Sequence, residues 1–301
     1  MRKEFSSWAE RRGREQKNLI FLTGDLGFNA LENVEKAMEG RFVNAGVSEQ
    51  NMISMAAAMA QQGLSPLCYS IAPFCVFRPA EQIRVDVCLH KMNVKVVGNG
   101  GGYGYGIMGA THHAIEDLAV LSSFPHMKCF VPFSNQSVES VCEEMMNYNG
   151  PSYLRLGFGP APSELEPFMC YQKFQQLKKG EQITIIGIGP VILNAISAAT
   201  QSETSADIFA ANELPLEDLS EEVIASLKKT AKLLVIEEHV ARGGLGEHLS
   251  LLLYKNRVFL EKFHHLHALG YPNQLYGSQI YHQTQSGLDP QSISKALKEL
   301  T

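Results

Sequence analysis

Four stretches of the chain carry side chains suited to proton or group transfer. Glu49 stands where a short strand candidate, 41–44, gives way through Ser48 to the Pro- and Gly-free run Asn51–Met59. A helix dipole favours a carboxylate in the first turn, whereas burial disfavours the charged form. The position suits either helix capping or acid–base work. Thr111-His112-His113 follows the densest glycine run of the chain. Neighbouring residues on an extended backbone point in opposite directions, which disfavours joint ligation of one metal. A single catalytic or substrate-binding imidazole is the sharper reading, and an ordinary surface histidine the blander one. Gly24-Asp25-Leu26-Gly27 follows the apolar run Leu19–Thr23, at the edge where parallel sheets receive ligands. It also reads as a plain turn. Phe74, Phe77 and Arg78 lie in APFCVFRPAEQIR, where the aromatics serve either the core or the wall of an apolar pocket.

Seven of the twelve residues from Gly98 to Gly109 are glycine. Such density implies positive φ angles or a close approach of backbone to something else. The segment is therefore a flexible surface loop or the lining of a cofactor or substrate site. No Asp or Glu follows at the ribose-binding distance, and GxxxxGK[ST] is absent from the chain, so neither common nucleotide motif is present. His264, His265 and His267 sit on a late amphipathic segment without partners spaced for zinc. Gly243–Gly246 reads as a structural turn.

These residues need a scaffold to bring them together. The segment 3–17 is amphipathic and charged. Strand candidates recur at 66–71, 94–98, 128–132 and 152–156, and helical stretches at 79–91, 114–122 and 135–148 separate the later ones. The alternation predicts an α/β fold with a mostly parallel sheet covered on both faces. The Pro-rich stretch FGPAPSELEPF at 158–168 is the expected boundary. A second βα series follows, with strands at 183–187, 206–210 and 233–236 and helices at 191–200, 221–229, 247–254 and 289–300. Two domains are expected, 1–160 and a smaller 161–301.

Composition narrows the class. The 301 residues include 26 Lys and Arg against 31 Asp and Glu, a formal charge of −5, with 19% charged and 45% hydrophobic residues. These values exclude a disordered, collagen-like or coiled-coil chain. They also argue against a protein that grips a nucleic-acid backbone. The six cysteines form no CxxC pair, and the opening MRKEFSSWAERRGREQKN lacks the apolar core of a secretory signal. No apolar run reaches the length of a bilayer span, so a reducing cytosol is the expected setting.

In order along the chain stand GDLG at 24–27, NAGVSEQNM at 44–52, FCVFRPAEQIR at 74–84, GATHHAIEDLAVL at 109–121 and GPSYLRLG at 150–157. Together they make nearly the whole chain resemble the C-terminal half of transketolases and deoxyxylulose-phosphate synthases. In two-gene versions of that family this half is a separate subunit. The resemblance implies a thiamine diphosphate pyrimidine-binding domain followed by a transketolase C-terminal domain. It implies a subunit of an enzyme that moves a two-carbon ketol unit between sugars. By the same resemblance, Glu49 hydrogen-bonds N1′ of the aminopyrimidine and so promotes loss of the C2 proton. Phe74 and Phe77 pack around the ring, and Asp25 and Leu26 lie near the cofactor. His112 matches the histidine that contacts the donor ketose, and His113 replaces the usual glutamine beside it. The family's GDG motif, which binds the diphosphate and its divalent ion, is absent from this chain. The resemblance therefore implies an N-terminal partner subunit carrying GDG and Mg²⁺ or Ca²⁺, in an α₂β₂ assembly, with no metal held by this chain.

Several positions depart from the ordinary transketolase pattern. Met108 stands where an aspartate contacts the donor hydroxyls, Gly100 where a histidine grips the sugar phosphate, and Phe158 where an arginine does so. Asn29 approximately matches a serine. Arg155 either points into the site or is structural. Loss of these charged and donating groups would leave a phosphate poorly paired, so the expectation is an atypical or modified sugar in a channel opened by glycine. Two rival expectations share the fold. One is the β subunit of a 2-oxoacid dehydrogenase or acyloin-forming enzyme, with which the YLRLG strand is shared. The other is a non-catalytic regulatory subunit, against which Glu49 and His112 count.

Overall fold

The computed structural model describes residues 1–27, 30–159 and 170–301. The strands described are β1 (Leu19–Thr23), β2 (Phe42–Asn44), β3 (Ser65–Ile71), β4 (Lys95–Asn99), β5 (Lys128–Phe130), β6 (Ser152–Leu156), β7 (Phe174–Lys178), β8 (Ile183–Ile188), β9 (Ala206–Ala211), β10 (Glu213–Leu214), β11 (Lys232–Glu237) and β12 (Lys262–His267). They form two sheets. The first has the order β10-β5-β6-β4-β3-β1-β2 and the second β12-β11-β8-β9-β7. Every pairing in the first is parallel except β10 with β5, and in the second only β7 with β9 is antiparallel. The mostly parallel α/β architecture is thus the one the strand–helix alternation predicts.

Parallel strands need helical crossovers, which cover both faces and make the strands apolar throughout. The central strands β4 and β6 are buried along their whole length. On one face of the first sheet the helix Arg2–Glu15 lays Phe5 and Trp8 against Phe21 and Tyr69. On the other, Met52 and Ile53 of the helix Glu49–Gln61 pack with Leu22, Cys68 and Val96. That second core runs on without a break through Cys129 and Leu214 to Ile186, Phe209 and Val235 of the second sheet. One apolar core therefore joins the two sheets.

Some expected elements differ. The helix expected over 79–91 is present over 80–89, but only Ala80–Gln82 is α-helical and Ile83–Leu89 continues it as a π-helix. The helix expected from 114 starts at Asp117. The histidine segment 264–267 belongs to the edge strand β12. The expected division at 160/161 falls outside the described residues. No helix among the described residues is long and apolar enough to cross a membrane.

Candidate active site

Because β1, β2, β3, β4 and β6 run parallel, their carboxyl ends lie along one edge, and the loops leaving them gather residues far apart in sequence. β1 delivers Asp25. Its amide donates to Asn44 Oδ1 at 3.1 Å and its carboxylate accepts from Asn44 Nδ2 at 3.0 Å, which supports its positive φ of 57°. β2 leads into Glu49, the first residue of its helix and only 2% exposed. β3 leads into Phe74. The long loop after β4 returns at His112, whose ring stands edge-on to Phe74 at 5.1 Å between centroids.

Arg78 ties this cluster together. Its Nη1 donates to both oxygens of Glu49, at 2.9 and 3.0 Å, while its guanidinium lies 3.8 Å from the centre of the Phe74 ring. A planar cation on an aromatic face gains both quadrupole attraction and stacking. The Arg78 side chain is 41% exposed against 3% for that of Glu49. The carboxylate is thus buried, and its partner is reachable from solvent. Phe77, one turn from Phe74, is exposed. His112 hydrogen-bonds through Nδ1 to Thr111 Oγ1 at 2.9 Å.

Behind His112 lies a cavity of about 270 Å³ lined by Arg2, Asp25, Leu26, Gly27, Tyr69, Ile71, Asn99 and Tyr105. Asn99 Nδ2 donates to Tyr105 Oη at 2.9 Å, and the Tyr105 and His112 rings are 5.8 Å apart. Met108 and Phe158 are exposed; Phe158 packs over Gly104 and lines a separate pocket with Gly101, Arg155 and Glu238.

Three of the expected substrate contacts have protein partners in the structure. His113 is buried, with Nδ1 on Tyr271 Oη at 2.8 Å and Nε2 on the Gly106 carbonyl at 2.7 Å, so both nitrogens are occupied. Burial pulls its pKa down to about 4, which keeps it neutral. Arg155 is internal as well. Its Nη2 donates to the carbonyls of Ala114 and Glu238, and its Nε lies 3.0 Å from Asp117. Gly100 opens no channel, because a Cβ there would meet the Tyr105 ring at 2.2 Å. The tyrosine fills the space that a larger residue would take. Asn29 lies outside the described residues.

Sequence reasoning noted Arg78 without assigning it a place in the site. It passed over Asn44, Tyr105 and Arg2. Arg78 and Asn44 stand inside motifs quoted for the resemblance, whereas Tyr105 and Arg2 carry no local signal. No group of three or more His, Cys, Asp or Glu side chains among the described residues could hold a metal ion. A buried carboxylate, an aromatic face already covered by a planar donor, and an imidazole beside it are equipment for binding a flat heterocycle and handling a proton.

The family description "Transketolase, pyrimidine binding domain" matches residues 1–157, and "Transketolase, C-terminal domain" matches residues 172–293. The chain belongs to the transketolase family. Among similar proteins, it is 29% identical over 307 residues to one subunit of the apulose-4-phosphate transketolase of Phocaeicola vulgatus, covering 99% of this chain and 96% of that one. It is 28% identical over 250 residues to the 6-deoxy-6-sulfo-D-fructose transketolase subunit SqwH of Clostridium sp., covering 81% and 77%. A solved structure titled "Split gene transketolase, inactive beta4 tetramer" superposes with a TM-score of 0.84 at 26% identity, covering 99% of this chain and 97% of that one.

Proposed function

We propose that this chain is the pyrimidine-binding subunit of a two-subunit, thiamine diphosphate-dependent transketolase acting on a modified ketose, with the domain division at 160/161. The observation that carries the reading is the Arg78 guanidinium, a flat N–H donor that stacks on Phe74 while donating to buried Glu49. An aminopyrimidine asks for the same two things, a carboxyl partner at one ring nitrogen and an apolar face, so these residues fit the cofactor. Glu49 and Phe74, with Leu26 and Phe77 beside them, would hold its pyrimidine once Arg78 swings aside. When bound, the cofactor supplies the thiazolium carbon that takes up the two-carbon unit.

The chain's own groups have separable tasks. Glu49, fixed at a helix start, holds a proton at the pyrimidine nitrogen. Asp25 is braced by Asn44 at the mouth of the site. His112 offers an imidazole to the donor oxygens, and Tyr105 walls the pocket behind it. Met108 and Phe158, which the family resemblance puts where donor-gripping groups stand, are exposed and apolar, which suits a ketose lacking the usual hydroxyl or phosphate pattern. The names of the two relatives, which specify apulose 4-phosphate and 6-deoxy-6-sulfo-D-fructose, support that preference. A partner subunit would supply the diphosphate and divalent-ion site, Mg²⁺ or Ca²⁺, in an α₂β₂ complex working in the cytoplasm.

The test combines the chain with its partner subunit, thiamine diphosphate and Mg²⁺, then compares apulose 4-phosphate, 6-deoxy-6-sulfofructose and xylulose 5-phosphate as donors. Ketol transfer that needs both subunits and favours a modified donor is expected. Equal turnover on xylulose 5-phosphate sinks the substrate preference. Decarboxylation of pyruvate in place of ketol transfer overturns the reaction class.

A further inference from the structure

The loop that carries Tyr105 and His112 is held from outside its own domain. Glu238, just past the end of β11, is 6% exposed, and its Oε1 accepts the Tyr103 amide at 2.6 Å. The side-chain amides of Gln279 and Gln283 also donate to this carboxylate. Burial pushes the Glu238 carboxyl above its usual range, and the donated hydrogen bonds draw it back. The fit is close: Gly102 has φ +66°, and a Cβ there would sit 2.4 Å from Glu238 Oε1. Gly102 exchanges two backbone hydrogen bonds with Ala114, at 2.7 and 2.9 Å. The two ends of the loop are therefore cinched together one residue from the Glu238 contact and two residues from His112.

We propose that Glu238 is a positioning residue. From the second domain it sets the path of the glycine loop, and through the Gly102–Ala114 bridge it places His112 and Tyr105 at the site. The carboxylate answers the buried Tyr103 amide and two half-buried glutamine amides at once, so its removal leaves the buried amide without its acceptor. The loop would answer by moving, because seven glycines give it little stiffness of its own. Glu49 and Phe74 hang from other strands and do not depend on this tether. Their grip on the cofactor should survive when the donor contact fails.

The kinetic half of the test rests on the ketol-transfer reading, so a structural readout accompanies it. Amide hydrogen exchange is followed over residues 102–114 in the isolated chain for wild type, Glu238→Leu and Glu238→Gln. In Glu238→Leu these amides are expected to exchange about tenfold faster or more, the size of one lost charge-assisted hydrogen bond, while β8 and β11 stay protected. Glu238→Gln keeps an acceptor for Tyr103, and the facing glutamine amides can turn to suit it, so it should exchange as wild type does. In the reconstituted complex, Glu238→Leu should raise the donor KM about tenfold and leave cofactor half-saturation within about twofold. Glu238→Gln should restore the donor KM. Should Glu238→Leu fail to fold, Glu238→Asp draws the carboxylate back by one methylene and carries the same expectation at smaller amplitude. Wild-type exchange over 102–114 in the Leu or Asp variant overturns the proposal, as does an equal rise in donor KM and cofactor half-saturation. A wild-type complex without ketol transfer defeats the functional reading alone, since the exchange result still judges the tether.

Discussion

The two sheets present the same device at their carboxyl edges and finish it differently. In each, a strand runs out beside a carboxylate and the start of a helix. In the second sheet, Glu237 is fully buried and accepts the amides of Leu245 and Gly246 at 2.8 and 3.0 Å, with His265 Nε2 at 2.7 Å. A Cβ on Gly244 would fall 2.4 Å from the same carboxylate. This helix N-terminus, elsewhere a natural anion site, is already filled by the protein's own anion. In the first sheet, Glu49 begins its helix but turns its oxygens to Arg78, a side chain that solvent can reach. A carboxylate sealed by backbone is a strut. One met by a long exposed side chain can change partners.

Substitutions can break or sharpen this contrast. The largest effect is expected at Glu49: Glu49→Gln in the reconstituted enzyme should lower ketol transfer by about a hundredfold or more, with the melting curve nearly unmoved. Unchanged turnover would remove Glu49 from the mechanism. Glu237→Leu should do the reverse, costing about 3 kcal/mol of stability by chemical denaturation because two buried N–H groups lose their acceptor. A silent substitution there would show that the second edge is not sealed as described. Arg78→Ala should destabilise the isolated chain by about 1–2 kcal/mol, less than for a fully buried pair because solvent reaches the guanidinium. Saturating cofactor should narrow that difference, and a gap that stays constant would mean that Arg78 never leaves Glu49.

Smaller effects distinguish the two adjacent histidines. The folded-state pKa of His113 lies near 4, below its ordinary 6.5, so the unfolded chain takes up the proton first. Its neutral form supports the fold fully above pH 6.5, and that support fades as pH falls towards 4. Denaturation curves of His113→Gln should lack this part of the acid slope, and an identical slope in both proteins would refute the buried, neutral assignment. Smallest of all, Met108→Ser at this exposed position should shift stability by less than about 0.5 kcal/mol, while changing the ratio of kcat/KM between modified and ordinary donors. A constant ratio would remove Met108 from donor selection.

What sequence could reveal follows the range of each interaction. Glu49 was legible because its signals are local: a strand, a serine, then an apolar helix. The apolar strands of both sheets were legible for the same reason. The edge strands β7 and β12 were missed, since FQQLK and KFHHLH offer no apolar run when one side of the strand has no neighbour. The widening of the helix to π geometry after Gln82 was missed because it answers packing rather than propensity. From the residues alone His112 and His113 could not be told apart, and only the resemblance separated them, because Tyr271, which holds His113 in the core, lies 158 residues away. Glu238 was invisible for a similar reason, its loop partner Tyr103 being 135 residues away. Gly100 misled because a missing side chain reads as empty space, whereas Tyr105 had moved in.

The two residues of β10 have a consequence for how the chain is made. They come from the second half of the sequence, yet they close the β5 edge of the first sheet, with Glu213 opposite Phe130 and Leu214 opposite Cys129. An unpaired strand edge invites pairing with other chains. During synthesis the ribosome must therefore extrude more than fifty further residues after β6 before that edge can be covered. A fragment ending just after β6 would carry a bare β5 and tend to aggregate. The halves match separate family descriptions, but the nascent chain has to finish them as one.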